Sequence, residues 1–128
     1  MIWLVALGGA LGSVTRFALG SLVQERAGTF PLGTLVVNVT GSLLMAGLME
    51  YALATPAISR DMRALLTTGF CGGYTTFSAF SYETLRLAQE GDYRRAGLYV
   101  LLSVAGSLAA AFAGFALARE LLVWRRTL

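Results

Sequence analysis

Long apolar stretches separated by short polar connectors dominate the pattern along this chain of 128 residues. The apolar windows cover residues 2–23, 32–54, 64–87 and 96–118. Each is at least as long as the roughly 20 residues with which a helix crosses a bilayer. The connectors contain Pro31, Pro56 and Asp92, residue types that end helices or cap their first turn. The pattern therefore predicts an all-α membrane protein with four transmembrane helices in one domain, residues 1–128.

The composition supports a membrane protein and disfavours most enzymes. The chain is 56% hydrophobic and 13% charged, whereas soluble domains are roughly 25% charged. All ten basic residues are Arg, and there is no His. The commonest general base, most transition-metal sites and the P-loop lysine are therefore missing. We expect no enzymatic activity, and the scattered arginines, which form no basic stripe, predict no nucleic-acid partner.

The arginines give little preference for either orientation in the membrane. Five lie on the side that would hold the two termini and the second connector, and five lie on the other side if Arg16 is counted there. Orientation normally follows the Lys and Arg excess of the cytoplasmic loops. A bias near zero predicts insertion in both orientations and an antiparallel dimer. One fixed, weakly biased topology is an equal alternative.

Polar side chains recur at four-residue spacing within two of the windows. One stripe consists of Thr34, Asn38 and Ser42, and the other of Tyr99, Ser103 and Ser107. Residues four apart share a helix face, and polar groups inside a span tend to face the bundle interior or an aqueous path. The alternative for Asn38 is a single hydrogen bond between helices. Two such stripes favour a polar path or a dimer seam.

The third window contains the sequence GFCGGYTTFSAF, residues 69–80. The pair Gly72 and Gly73 predicts a break in the helix, and freed carbonyl groups at such a break are suited to holding Na⁺. The alternative is a glycine pair that only lets two helices approach closely. Phe77 and Phe80 share a face after the break, and their ring edges carry a partial positive charge that attracts anions weakly. Ordinary aromatic packing is the alternative for these rings.

The first window carries two closely spaced glycines and an arginine, and the windows otherwise contain few charged residues. Gly8 and Gly12 predict a face for close helix contact in the first window. Arg16 follows them and either extends to the membrane interface or faces a water-filled vestibule. No carboxylate lies near the middle of a window, and Glu83, towards the end of the third, is expected to pair with Arg86.

These motifs resemble the signature of the Fluc (CrcB-type) fluoride channels of bacteria. The resemblance covers essentially the whole chain through the GGxxGxxxR run that ends at Arg16, the TLxVNxxGS run from Thr34 to Ser42, and GFCGGYTTFS. It implies an antiparallel, dual-topology homodimer with two pores in the bacterial inner membrane, with the third helix broken inside the membrane. The implied function is export of fluoride, which protects the cell from fluoride toxicity.

The resemblance also implies the site residues. The fluoride path would be formed by Phe77, Phe80, Asn38, Thr34, Tyr99, Ser103 and Ser107. A structural Na⁺ at the dimer interface would be held by the backbone carbonyl groups of Gly72 and Thr75 of both chains. Arg16 would attract anions in the vestibule or support the fold.

Two other functions remain open from the residues alone. A small multidrug exporter is also short and four-spanned, but it requires a carboxylate in mid-membrane. A membrane subunit that only organises partners would carry no ion flux. A series of neutral donors and the lack of a mid-span carboxylate instead favour passive, electrogenic transport.

Overall fold

The computed structural model describes all 128 residues, and its elements are all helical. They are α1 (Ile2–Gln24), α2 (Leu32–Ala54), α3 (Arg60–Ala64), a π-helix (Leu65–Cys71), α4 (Gly72–Tyr74), α5 (Phe77–Gln89) and α6 (Tyr93–Thr127). Three of these, α1, α2 and α6, are long and apolar enough to cross a membrane. The predicted all-α membrane class is therefore confirmed.

The last helix is longer than the fourth window predicts. Its N-cap is Asp92, whose side chain accepts a hydrogen bond from the Arg95 amide, as the sequence predicts. It then continues for 35 residues to Thr127, which at 1.5 Å per residue is about 52 Å. This length exceeds the ~30 Å hydrocarbon core of a bilayer. Residues 119–127, about two and a half turns, extend the helix beyond residue 118, where the apolar window ends.

The third window is interrupted, but not where the sequence analysis places the break. Gly72 is helical, with φ −62° and ψ −38°, so the prediction of an unwound Gly72–Gly73 pair is wrong. The extended residues are Thr75, with ψ 157°, and Thr76, with φ −151° and ψ 114°. The helix stops there because Thr76 caps α5, its Oγ1 accepting from the Ala79 amide. The π-helix before the break was not predicted.

Glycines bring α1 directly against the backbone of the third window. A Cβ on Gly73 would lie 2.5 Å from the Gly9 carbonyl oxygen, and one on Gly69 would lie 3.1 Å from the Gly8 Cα. A Cβ on Gly8 or Gly12 would come closer still, against the carbonyl oxygens of Leu65 and Phe70. The predicted contact face on α1 is confirmed, and Gly73 serves the close approach that was the alternative to a break.

The outside of the bundle is apolar. Trp3, Phe17 and Phe112 are 82%, 76% and 73% exposed, whereas the fully buried side chains include Val37 and Tyr99, which lie between helices. Large contiguous apolar surfaces mark contact with lipid or with another protein surface. This distribution fits a chain whose surroundings are mainly hydrocarbon.

The contact between Gly73 and Gly9 leads to a prediction. We expect Gly73→Ala to lower the melting temperature of the purified protein, because the added methyl group must push two backbones apart, at a cost of ~1–3 kcal/mol. The matched control is Gly97→Ala, since a Cβ at that helical position meets nothing within 4 Å. Heating followed by size-exclusion chromatography measures both variants. An equal loss in the two would show that the helix contact is not tight.

Candidate functional site

The break in the third window is held by the side chain of Asn38. Its Oδ1 accepts from the Thr76 amide at 2.8 Å, and its Nδ2 donates to the Thr76 carbonyl oxygen at 3.0 Å. The amide group of Asn38 thus pairs with one residue of extended backbone as a neighbouring strand would. Backbone polar groups in an apolar setting must find partners within the protein. Asn38 supplies both for Thr76 and leaves one Nδ2 hydrogen unused.

Two backbone amides at the break donate to side chains, which leaves the carbonyl groups of Gly72 and Thr75 without their usual helical donors. In a continuous helix the Thr76 amide would donate to the Gly72 carbonyl oxygen, and the Ala79 amide to that of Thr75. Here the Thr76 amide donates to Asn38 and the Ala79 amide to the Thr76 hydroxyl. Gly72 is exposed on the surface of the chain, and Thr75 is half-buried. Two carbonyl groups without their helical donors therefore flank the break.

Arg16 donates a hydrogen bond to the carbonyl group of Gly73, which lies between Gly72 and Thr75. Its Nε donates to the Gly73 carbonyl oxygen at 3.1 Å, across 57 residues of chain. The half-buried guanidinium also lines a cavity of about 550 Å³ with Thr34, Thr76 and Glu83. Arg16 thus supports the fold at the break and places a positive charge in a polar cavity, so both alternatives for this residue have a structural basis.

A second cavity, of about 560 Å³, is lined by two residues of each polar stripe. It is lined by side chains that include Asn38, Ser42, Phe77, Phe80, Ser103 and Ser107. Ser103 is 7% exposed, and its Oγ has no hydrogen-bond partner. Ser42 instead donates to the Asn38 carbonyl oxygen at 2.7 Å. Thr76 lines both cavities, so both border the break.

Aromatic rings connect the break to α6. The centroids of Phe77 and Phe80 are 5.5 Å apart with the planes tilted by 54°, and Phe80 lies 5.3 Å from Tyr99. Phe77 is 78% exposed, so one of its faces has no partner within the chain. Phe80 and Tyr99, by contrast, pack together in the core.

Glu83 is the site residue that the sequence analysis missed. Its Oε1 accepts from the Thr34 hydroxyl at 2.8 Å and its Oε2 from the Tyr99 hydroxyl at 2.7 Å. The expected pair with Arg86 is wrong, because the Arg86 Nε lies 3.1 Å from Glu90. The available signal was spacing: Glu83 follows Phe80 by three residues, which places the two on one helix face.

The site therefore divides into two groups of predicted residues. Asn38, Phe77, Phe80, Ser103 and Ser107 share one cavity. Thr34 and Tyr99 meet at Glu83, beside the other cavity.

Comparison with known proteins gives the family. A family model described as CrcB-like protein, Camphor Resistance (CrcB), matches residues 3–115. The chain belongs to the CrcB family. A relative named fluoride-specific ion channel FluC, from Anaeromyxobacter dehalogenans, is 48% identical over 119 residues, which cover 92% of this chain and 94% of that protein.

Relatives with the same name occur in other bacteria. The protein from Geobacter sulfurreducens is 48% identical over 118 residues, covering 91% of this chain and 95% of its own. The one from Rhizobium meliloti is 48% identical over 121 residues, covering 94% and 97%. Membership of this family, together with the three apolar helices, identifies the chain as a multi-pass protein of the bacterial inner membrane.

Proposed function

We propose that this protein is a passive, electrogenic and fluoride-selective ion channel, not an enzyme, which exports fluoride from the cytoplasm and protects against its toxicity. The names of the relatives support fluoride as the transported ion, and the cavity beside the break supports passive conduction. The observation that carries the proposal is the convergence of an unpartnered Ser103 hydroxyl, a spare Asn38 N–H and two phenylalanine rings on one space. Fluoride is small and strongly hydrated, so a path for it must offer several donors in succession.

The donors along this path are neutral. Asn38, Ser103 and Ser107 can each offer an N–H or O–H, while the ring edges of Phe77 and Phe80 attract an anion only weakly. Conduction requires sites that are favourable to enter and weak enough to leave. Arg16 lines the neighbouring cavity, where its charge would raise the local anion concentration without binding the ion among the neutral donors. Thr34 and Tyr99 would continue the path towards Glu83.

Glu83 gives a second candidate function. A half-buried carboxylate in contact with two path residues could relay protons, and proton-coupled transporters use such groups. An exchanger of fluoride against protons or hydroxide is therefore the competing proposal. The two candidates differ in whether fluoride movement carries net charge across the membrane.

A flux assay on the purified protein in liposomes distinguishes them. We expect liposomes loaded with fluoride to lose it rapidly only when a potassium ionophore balances the charge. We also expect chloride to be retained, because the path is proposed to be selective. Loss driven by a pH gradient without the ionophore would support the exchanger. Equal loss of chloride would remove the fluoride assignment.

The same flux assay tests whether the rings of Phe77 and Phe80 contribute to the path. We expect Phe77→Ile and Phe80→Ile each to reduce fluoride efflux by about tenfold, equivalent to ~1.4 kcal/mol, because isoleucine keeps apolar bulk but has no polarised ring edge. Phe112→Ile is the control, since Phe112 is 73% exposed on α6 and lines neither cavity. Normal efflux in both pore variants would mean that these rings only pack.

We also propose that the working unit is a single four-span domain, residues 1–128, in an antiparallel, dual-topology homodimer with two pores. The third crossing would consist of the helical segments from α3 to α5 with the break in mid-membrane. Support comes from the balanced arginines, from the exposed ring of Phe77 and from Gly72, which lies on the surface. A second copy packed against the surface that carries Phe77 and Gly72 would complete each path.

Dual topology predicts that a tag on the C-terminus is accessible from both sides of the membrane. We expect protease or impermeant-label protection of about half of the tags in intact cells, because the orientation bias is near zero. Adding two arginines to the connector of residues 55–59 should bias insertion and lower efflux. Co-expression with an oppositely biased copy should restore it. Labelling from one side only would contradict dual topology.

We further propose a structural Na⁺ at the dimer axis, held by the Gly72 and Thr75 carbonyl groups of both chains and drawing membrane-embedded copies together. These oxygens lack their helical donors, and carbonyl groups at helix breaks are suited to Na⁺. Ca²⁺ typically recruits carboxylates, and none is adjacent to Gly72 in sequence.

Replacement of Na⁺ tests this site. We expect efflux and the melting temperature to fall when all Na⁺ is replaced by a bulky organic cation at equal ionic strength, and to be unchanged by a chelator of divalent cations. Titration with Na⁺ should restore both properties together. Full efflux and an unchanged melting temperature in Na⁺-free buffer would contradict the site.

A further inference from the structure

An apolar groove lies between α2 and α6, apart from the candidate ion path. It encloses about 400 Å³, and its walls include Leu43, Leu117 and Leu121. Gly47 and Gly114 line it as well, and a Cβ on Gly47 would lie 3.2 Å from the Gly114 carbonyl oxygen. The two glycines therefore let α2 and α6 approach closely beside the groove.

The groove opens on the opposite side of α2 from the Asn38 cavity. Gly47 follows Asn38 by nine residues, or about two and a half helical turns, so the two point in opposite directions from the helix. Its walls are accessible within the chain, since Leu117 is 62% and Leu121 49% exposed. An occupant of this groove would not enter the proposed path.

One end of the groove carries a positioned guanidinium. Tyr51 lines the groove, and Arg125 Nη1 donates to the Tyr51 hydroxyl at 2.9 Å and to the Thr55 hydroxyl at 3.2 Å. Both partners are neutral, and the three ion pairs of the chain involve Arg86, Arg95 and Arg119. Two hydroxyls therefore orient Arg125 without neutralising it, and its other N–H groups remain able to bind an oxyanion in a bidentate manner.

We propose that this groove binds one anionic phospholipid, with an acyl chain along Leu43, Leu117 and Leu121 and the phosphate against Arg125. The complementarity is that of an amphiphile: hydrocarbon surface along most of the groove and one unneutralised cation at its end. Juxtamembrane arginines attract anionic lipid. A second copy of this chain is the competing occupant, and it requires no anionic headgroup.

Quenching of tryptophan fluorescence by brominated lipids tests the site. The parent carries Trp3→Phe, Trp124→Phe and Leu117→Trp, so that the only indole lies in the groove wall. It is reconstituted in vesicles with brominated phosphatidylglycerol or brominated phosphatidylcholine of identical acyl chains. We expect the apparent binding constant at the groove to be about fivefold higher for the anionic lipid, as for one arginine near an anionic headgroup.

The matched variants are Arg125→Gln and Arg126→Gln. Each removes one charge at the same end of α6, but only Arg125 bonds to Tyr51. We expect Arg125→Gln to make the binding constants for the two lipids about equal. We expect Arg126→Gln to keep most of the preference for the anionic lipid. Equal loss in both would show general charge attraction and overturn the proposal.

The parent alone is decisive if Arg125→Gln does not fold. Equal quenching by the two lipids would mean a groove without a headgroup site. No quenching by either would mean that a second copy covers it. Either result would overturn the proposal, whereas stronger quenching by the anionic lipid supports it.

Discussion

The pairing of the Asn38 side chain with the Thr76 backbone is the interaction on which the rest of the site depends. An extended residue between two helices exposes an N–H and a C=O, and leaving either unpaired in an apolar setting costs several kcal/mol. Asn38 satisfies both with one planar group. By taking the Thr76 amide it also releases the Gly72 carbonyl from its helical partner, and the Thr76 hydroxyl does the same for Thr75. A single amide thus allows the break and determines which oxygens it exposes.

That pairing is possible only because glycines let the backbones approach. Gly41 lies one turn after Asn38, and a Cβ there would come within 3.0 Å of the Tyr74 ring and closer still to the Thr75 methyl group. On the other side, Gly8, Gly12 and Gly73 hold α1 against the same segment, where Arg16 donates to the Gly73 carbonyl oxygen. In hydrocarbon, where burial of apolar surface gives little drive for association, close packing of small residues is a main source of stability.

The break also organises the polar groups around it. One cavity holds neutral donors and aromatic rings, and the other holds Arg16, Glu83 and Arg86, yet both are lined by Thr76. The charged side chains therefore lie in the cavity that Arg16 lines, while the cavity that Asn38 lines offers hydroxyls, one amide and ring edges. An anion that passed between the two would exchange a charged environment for a neutral one at the break.

The sequence by itself determined the membrane class, the extent of α1 and α2, the glycine contact face and the helix faces on which the polar stripes lie. Those properties follow from local periodicity and composition, which do not depend on neighbouring helices. Tertiary structure decided the position of the break, because the competition between Asn38 and the Gly72 carbonyl for one amide involves residues 38 positions apart. It likewise decided the partner of Glu83, since the hydroxyls of Thr34 and Tyr99 are brought to it only when three helices pack together.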